Sequence, residues 1–226
     1  MSGKYQKPSD LPSRIPVFPL GGALLLPRTQ LPLNIFEPRY LQMIDDALGN
    51  DRIIGMIQPD GPTALDMEKD ANAKPPLYKI GCAGRITSFL EADDGRYLIT
   101  LTGICRFRVL EELNTLTPYR QCQVDTDEFS LDLKAGAGED DVSRERLLEI
   151  LKVYLETRGL GIDWDAIKNA PNENLVNSLS AISPYGPSEK QALLEAKTLE
   201  DRNQMLIALT EMTLARESSD GSTPVQ

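Results

Sequence analysis

The sequence predicts an α+β fold: a β-rich amino-terminal part of about 130 residues, then an all-helical carboxy-terminal part. Three observations predict it. Short apolar runs framed by prolines occupy Ile15 to Phe36. Between Tyr78 and Phe129, apolar and polar residues alternate around an Asp-Gly turn. From residue 142 onward, apolar residues recur at helical spacing. The composition, 41% hydrophobic and 26% charged over 226 residues, is globular and long enough for a sizeable core.

Residues 1–13 are polar, contain Pro8 and Pro12, and read as a loose arm. Pro16, Pro19, Pro27 and Pro32 then forbid a helix, because each lacks a donor N–H and clashes with the preceding turn. Residues 15–20 and 30–36 therefore read as two short strands joined through Gly21-Gly22. Glu37-Pro38 starts a helix, with Pro38 at the first helical position, where its missing N–H costs nothing. Tyr40, Leu41, Met43, Ile44, Ala47 and Leu48 give this helix one apolar face, and Gly49-Asn50 stops it. Arg52 to Gln58 is a short strand, and the proline-rich residues 59–76 form a long loop.

Tyr78–Ala92 and Arg96–Leu113 form a hairpin around Asp93-Asp94-Gly95. On the second strand, Tyr97, Ile99, Leu101, Gly103, Cys105, Phe107 and Val109 share a buried face. Thr100, Thr102, Arg106 and Arg108 share a wet one. Tyr119 to Phe129 is a further strand after Pro118. Residues 14–130 thus make a β-rich unit. Residues 131–141, with their Lys134-Ala135-Gly136-Ala137-Gly138-Glu139 run, read as a flexible linker. Residues 142–216 make a helical unit. Its first helix runs from Val142 to Arg158, and a short one, Asp163 to Ala170, holds Trp164. Asn172 caps a third, and the capping-box spacings Ser188-x-x-Gln191 and Thr198-x-x-Asp201 open two more. Residues 217–226 read as a disordered tail.

Composition removes several kinds of chemistry. The chain contains no histidine, so Ser-His-Asp and Cys-His catalysis and His-ligated metals are excluded. It has no phosphate-binding loop, no dinucleotide fingerprint and no nucleophile elbow. Cys82, Cys105 and Cys122 form no C-x-x-C and sit in β-like apolar runs, as small hydrophobes do; a reactive thiol would need a partner that lowers its pKa. That cysteine usage fits a reducing cytoplasm. The adjacent pairs Asp45-Asp46, Asp93-Asp94 and Asp140-Asp141 do not converge on one face, so neither a metal nor another cofactor is expected. A net charge of −10 disfavours nucleic acid, whose affinity comes from neutralised phosphates. Lys4, Lys7 and Arg14 precede an apolar stretch, but its prolines and short length fit neither a secretion signal nor a membrane span.

Three groups are candidates for binding. Leu24, Leu25 and Leu26 either form an exposed apolar patch or close the end of the β unit. Phe36, with Glu37 and Arg39 flanking Pro38, either lines a groove or serves the helix start, where Glu37 suits the positive end of the dipole. Arg106 and Arg108 point the same way along a strand. With Arg85 and Arg120 they form a small anion site, unless Glu91, Glu111 or Glu112 pairs them on a solvated face.

The residues also carry a family resemblance. Ile15-Pro16-Val17-Phe18-Pro19-Leu20, Leu26-Pro27, Leu31-Pro32-Leu33 and Ile35-Phe36-Glu37-Pro38-Arg39-Tyr40 resemble the opening of the Lon protease N-terminal domain, in its short stand-alone bacterial form. The likeness continues through Ile53–Gln58, Ile80–Ile86, Leu101–Val109 and Pro118-Tyr119. It extends to Lys190–Glu195 and Leu199–Arg202, covering residues 14–215. It implies a PUA-like β pseudobarrel followed by a helical bundle, a region that in Lon helps recognise substrate proteins. These 226 residues hold neither the ATPase module nor the Ser-Lys protease domain, and the resemblance carries over no catalytic residue. The expectation is a non-catalytic module, a substrate-recognition factor or adaptor, whose partners are proteins or unfolded polypeptide segments. RNA binding by the PUA-like barrel is the alternative, and a carboxylate-dependent enzyme a more distant one.

Overall fold

The computed structural model describes residues 5–61, 74–158 and 164–220. Six strands, β1 (Arg14–Pro19), β2 (Gln30–Ile35), β3 (Ile53–Ile57), β4 (Ile80–Glu91), β5 (Tyr97–Glu112) and β6 (Arg120–Asp125), form one sheet in the order β2-β5-β4-β3-β1-β6. β6 also pairs with β5, so the sheet closes on itself as a pseudobarrel. The long strand β5 makes the closure possible. Along one edge, its first half pairs with β2, from Tyr97↔Ile35 to Thr102↔Gln30. Its second half pairs with β6, from Arg108↔Asp125 to Glu112↔Cys122. Register shifts between β4 and β5, at Ala83/Gly84 and at Ile86/Ser88, supply the curvature. β1 and β3 run parallel, and every other pairing is antiparallel. Pro32 lies in β2, which pairs with no strand other than β5 among the described residues; an edge tolerates the missing donor.

The helix α1 (Pro38–Leu48) starts as expected, with Pro38 in its first turn, and buries Tyr40, Met43, Ile44 and Ala47. After β6 the expected strand stops early. Residues Asp127–Leu133 and Glu139–Asp141 are 3-10 turns, and Phe129 and Asp132 are buried. The 131–141 stretch, expected as a linker, is therefore packed against the barrel: Asp132 must reach the Arg106 side chain, which an extended linker would not allow. The arm is partly packed too, since Tyr5 and Leu11 are buried.

The helical part comprises α2 (Arg144–Thr157), α3 (Trp164–Asn169), α4 (Asn172–Ile182), α5 (Pro187–Glu195) and α6 (Leu199–Asp220). α6 packs on α2, α4 and α5, while α5 reaches β4. Leu175, Val176, Leu193, Leu194, Leu206 and Ile207 join the barrel residues in one continuous core. Two expected caps differ. Pro171, not Asn172, sits before α4, and the Asn172 amide instead donates to the Glu139 carbonyl (2.9 Å). α5 starts at Pro187, which takes the first helical position itself and leaves Ser188 inside the helix. The third cap forms: the Asp201 N–H donates to Thr198 Oγ1 (3.0 Å) and the Thr198 N–H to Asp201 Oδ2 (3.1 Å). Thr198→Ala is expected to cost about 1 kcal/mol in urea denaturation. Residues 217–220, expected in the tail, continue α6; the rest of that tail, most of the 59–76 loop and the first four residues of the arm lie outside the described residues.

Candidate functional site

The three candidate groups go to different places. Leu24, Leu25 and Leu26 are buried in the core. Leu25 packs against Gly84, and Leu26 is fastened by Thr29, whose Oγ1 accepts from the Leu26 N–H (3.1 Å) and donates to its carbonyl (2.8 Å). They close the barrel and present no exposed patch.

The arginines do not converge. Arg106, expected on a wet face, is only 5% exposed. Its Nε and Nη2 donate to the two Asp132 oxygens (both 2.9 Å), and Nη1 donates to the carbonyls of Leu194 (3.0 Å) and Ala196 (2.5 Å). The end of α5 covers this stretch of β5, which is why simple alternation fails there. Burial opposes the Arg106 charge, but the Asp132 carboxylate outweighs it and raises the guanidinium pKa. Arg108 forks onto Glu128 (2.6 and 2.9 Å) and Arg120 onto Glu112 (2.8 and 2.6 Å). Arg85 donates to the Tyr5 hydroxyl (3.1 Å) and the Asp51 carbonyl (2.8 Å). With its members engaged separately, the anion site is not assembled.

Phe36 is on the surface, 64% exposed. Beside it, Arg39 Nε donates to Glu37 Oε2 (2.9 Å), and the guanidinium lies 4.7 Å from the Tyr40 ring centre. This third group adjoins a surface that the sequence reading overlooked. The β4–β5 hairpin runs beyond the core, and Phe89, Leu90 and Leu98 there are 41%, 59% and 43% exposed. Register explains the arrangement. Leu98 pairs with both Leu90 and Asn34, so these three side chains share one face of the sheet. Phe89 and Tyr97 lie on the other face, their ring centres 4.9 Å apart in an edge-to-face pair. Tyr97 is opposite Ile35, which places Phe36 at the same end of the sheet. The legible signal was the adjacent doublets Phe89-Leu90 and Tyr97-Leu98, which break alternation and make both faces apolar.

The polar surroundings are acidic. Asp45 of α1 and Glu91 of the opposing strand lie close enough to the Tyr97 hydroxyl to act on it electrostatically. Desolvation first, then the Asp45 carboxylate, pushes the Tyr97 phenol up. In the turn, Asp94 is paired with Arg96 (2.6 Å).

A cleft of about 420 Å³ elsewhere is lined by Pro12, Arg14, Asp46, Asp51, Tyr119 and Gln121 among others. Two pairs of its polar groups engage each other: Tyr119 donates to Asp46 (2.7 Å) and Arg14 to Gln121 (2.7 Å). Burial and the Asp46 carboxylate push the Tyr119 phenol up to about 12, so it stays protonated near neutral pH. All three cysteines are buried as free thiols. Burial pushes Cys82 up to about 12 and Cys122 up to about 11, and raises Cys105 as well. These are unreactive packing groups. Among the described residues, no group of three or more acidic or cysteine side chains is placed to hold a metal, and no helix is long and apolar enough to cross a membrane.

Comparison with known proteins agrees with this fold. Residues 14–211 match the model of the ATP-dependent protease La (LON) substrate-binding domain. Lon protease 2 of Sorangium cellulosum is 26% identical across 97% of this chain, and the peroxisomal Lon protease homolog 2 of Mus musculus is 27% identical across 89%. The chain spans about a quarter of the length of these relatives, 27% and 25% respectively. The crystal structure of a Lon N-terminal domain protein from Xanthomonas campestris superposes with a TM-score of 0.58 at 21% identity, covering 86% of this chain and 97% of that one. The N-terminal domain of the Mycobacterium avium complex Lon protease gives 0.61 at 16% identity, covering 88% and 98%. With the family model matched over most of its length, the chain belongs to the Lon substrate-binding domain family.

Proposed function

We propose that this chain is a non-catalytic polypeptide-binding module, serving in substrate recognition or as an adaptor, and that it works in the cytoplasm. The observation that carries the reading is the apolar end of the β4–β5 hairpin: Phe36, Phe89, Leu90 and Leu98 expose aromatic and aliphatic surface at one end of the sheet. Apolar side chains gathered in that way are what an unfolded segment can cover, and covering them is favourable by about 25 cal/mol per Å². Glu37 and Arg39 stand beside Phe36 and supply a polar rim. The family membership supports the same reading, and the free, buried cysteines are compatible with a reducing compartment.

Fluorescence anisotropy with a labelled, unstructured apolar peptide tests it. Binding is expected, and Leu98→Asp is expected to weaken it roughly tenfold, since one leucine contact is lost and a charge is stranded. Because Leu98 is on the surface, the melting temperature should hold. Equal affinity in the variant would remove the hairpin end as the site.

A further inference from the structure

Resting on the polypeptide-binding reading above, we infer that this surface selects extended apolar segments carrying a lysine or arginine next to their apolar residues. The apolar faces would take the aliphatic and aromatic side chains. The cation would sit against the Phe89–Tyr97 edge, facing Asp45 and Glu91.

Charge complementarity at the hairpin end carries the argument. Five carboxylates belong to this end of the fold: Glu37 follows Phe36, Glu91 is opposite Tyr97, Asp93 and Asp94 form the hairpin turn, and Asp45 of α1 acts on the Tyr97 hydroxyl. Two are neutralised at close range, Glu37 by Arg39 and Asp94 by Arg96, each at 2.6 Å. Asp45, Glu91 and Asp93 are exposed and have no cationic partner within ion-pair distance among the described residues. Glu91 stands directly opposite Tyr97 on the neighbouring strand, and Asp45 of α1 is near enough to act on the same hydroxyl. The edge-to-face pair beside them leaves ring surface that attracts a cation. Such a place suits a long cationic side chain, whose methylene stem covers apolar surface while its head meets carboxylates. An acidic segment would meet three uncompensated negative charges. The net charge of −10 adds long-range steering in the same sense.

Three synthetic peptides with one shared apolar core, flanked by lysine, glutamine or aspartate, provide the test, measured by calorimetry on the full chain at low and high salt. The lysine peptide is expected to bind roughly three- to tenfold more tightly than the glutamine peptide, and the aspartate peptide most weakly. The lysine advantage should shrink at high salt. In Asp45→Asn/Glu91→Gln it should vanish while glutamine-peptide affinity stays the same, since both residues are exposed and keep their size, and a thermal melt checks the fold. Equal binding of the lysine and glutamine peptides would overturn the charge selection and leave the apolar site standing. A lysine advantage that survives in the double variant would also overturn it. Failure of all three peptides to bind would sink both readings.

Discussion

Asp132→Ala is expected to destabilise the chain by about 3–5 kcal/mol, among the largest losses any single polar substitution should cause here. Asp132 is the carboxylate bonded to Arg106, and that guanidinium is held where water cannot replace it. Besides the side-chain fork, the Arg106 backbone N–H also donates to Asp132 Oδ2 (2.9 Å). The consequence extends to a second cation. Arg202, also buried, donates to the Leu193 carbonyl (2.9 Å) and to Asn177 Oδ1 (2.8 Å). Burial and then the Arg106 charge work against the Arg202 charge, and Asp132 works for it. Removing Asp132 therefore leaves two desolvated guanidiniums repelling each other. Arg106 also sits over the Phe129 ring, 4.7 Å from its centre, and binds the carbonyls of Leu194 and Ala196 at the end of α5, so the pair joins β5, the 127–133 turn and the helical part. Arg106→Leu alone should cost a similar amount. The double variant Arg106→Leu/Asp132→Ala should recover part of the loss, because a buried pair is costly chiefly when one partner is left behind. Urea denaturation measures all three; a loss below about 1 kcal/mol for Asp132→Ala, or strict additivity in the double variant, would contradict this account.

The same pair marks the limit of what could be read from the sequence. Features set by local sterics were legible. The proline-framed strands, the start of α1 at Pro38, the turn at Asp93-Asp94-Gly95 and the Thr198–Asp201 cap each depend on a few adjacent residues. The division into a β-rich and a helical part was legible through alternation and helical spacing, whereas the pseudobarrel and bundle followed only from the family resemblance. Features set by distant packing were not. Arg106 looks wet on β5 because nothing near it in the chain says that residues 194–196 will cover it. Leu24 to Leu26 could face a partner or the core equally well until Gly84 and Gly103 are seen against them. Of the binding candidates, Phe36, Glu37 and Arg39 are at the surface proposed for binding, while Leu24, Leu25, Leu26 and Arg106 are structural. Phe89, Leu90 and Leu98 escaped notice because apolar residues in a strand are expected to be core, and only the register shows that the hairpin outruns it.

Gly103→Ala is the second substitution expected to have a large effect, and its reason lies in the leucine loop. A Cβ at position 103 would stand 2.0 Å from the Leu26 carbonyl oxygen and 2.7 Å from its carbon. Both are backbone atoms, so no rotamer change relieves the overlap. The loop cannot drift away either. Arg28 N–H donates to the Gly103 carbonyl and Gly103 N–H to the Thr29 carbonyl, each at 2.9 Å, pinning residues 28 and 29 to β5. Leu24 to Leu26 are buried just before these bonds, so a shift would also open the barrel core. The expected cost is roughly 3 kcal/mol, at the upper end for overpacking. Gly22→Ala is the matched control in the same loop. Its φ of +74° is strained for alanine, but no atom lies within 4 Å of the new Cβ, so the cost should be only about 1 kcal/mol. Thermal and urea denaturation of the two variants separate the causes: backbone overlap predicts that position 103 is far the more sensitive, whereas a loop held only by its glycine conformations predicts the reverse, since Gly103 lies in an ordinary strand.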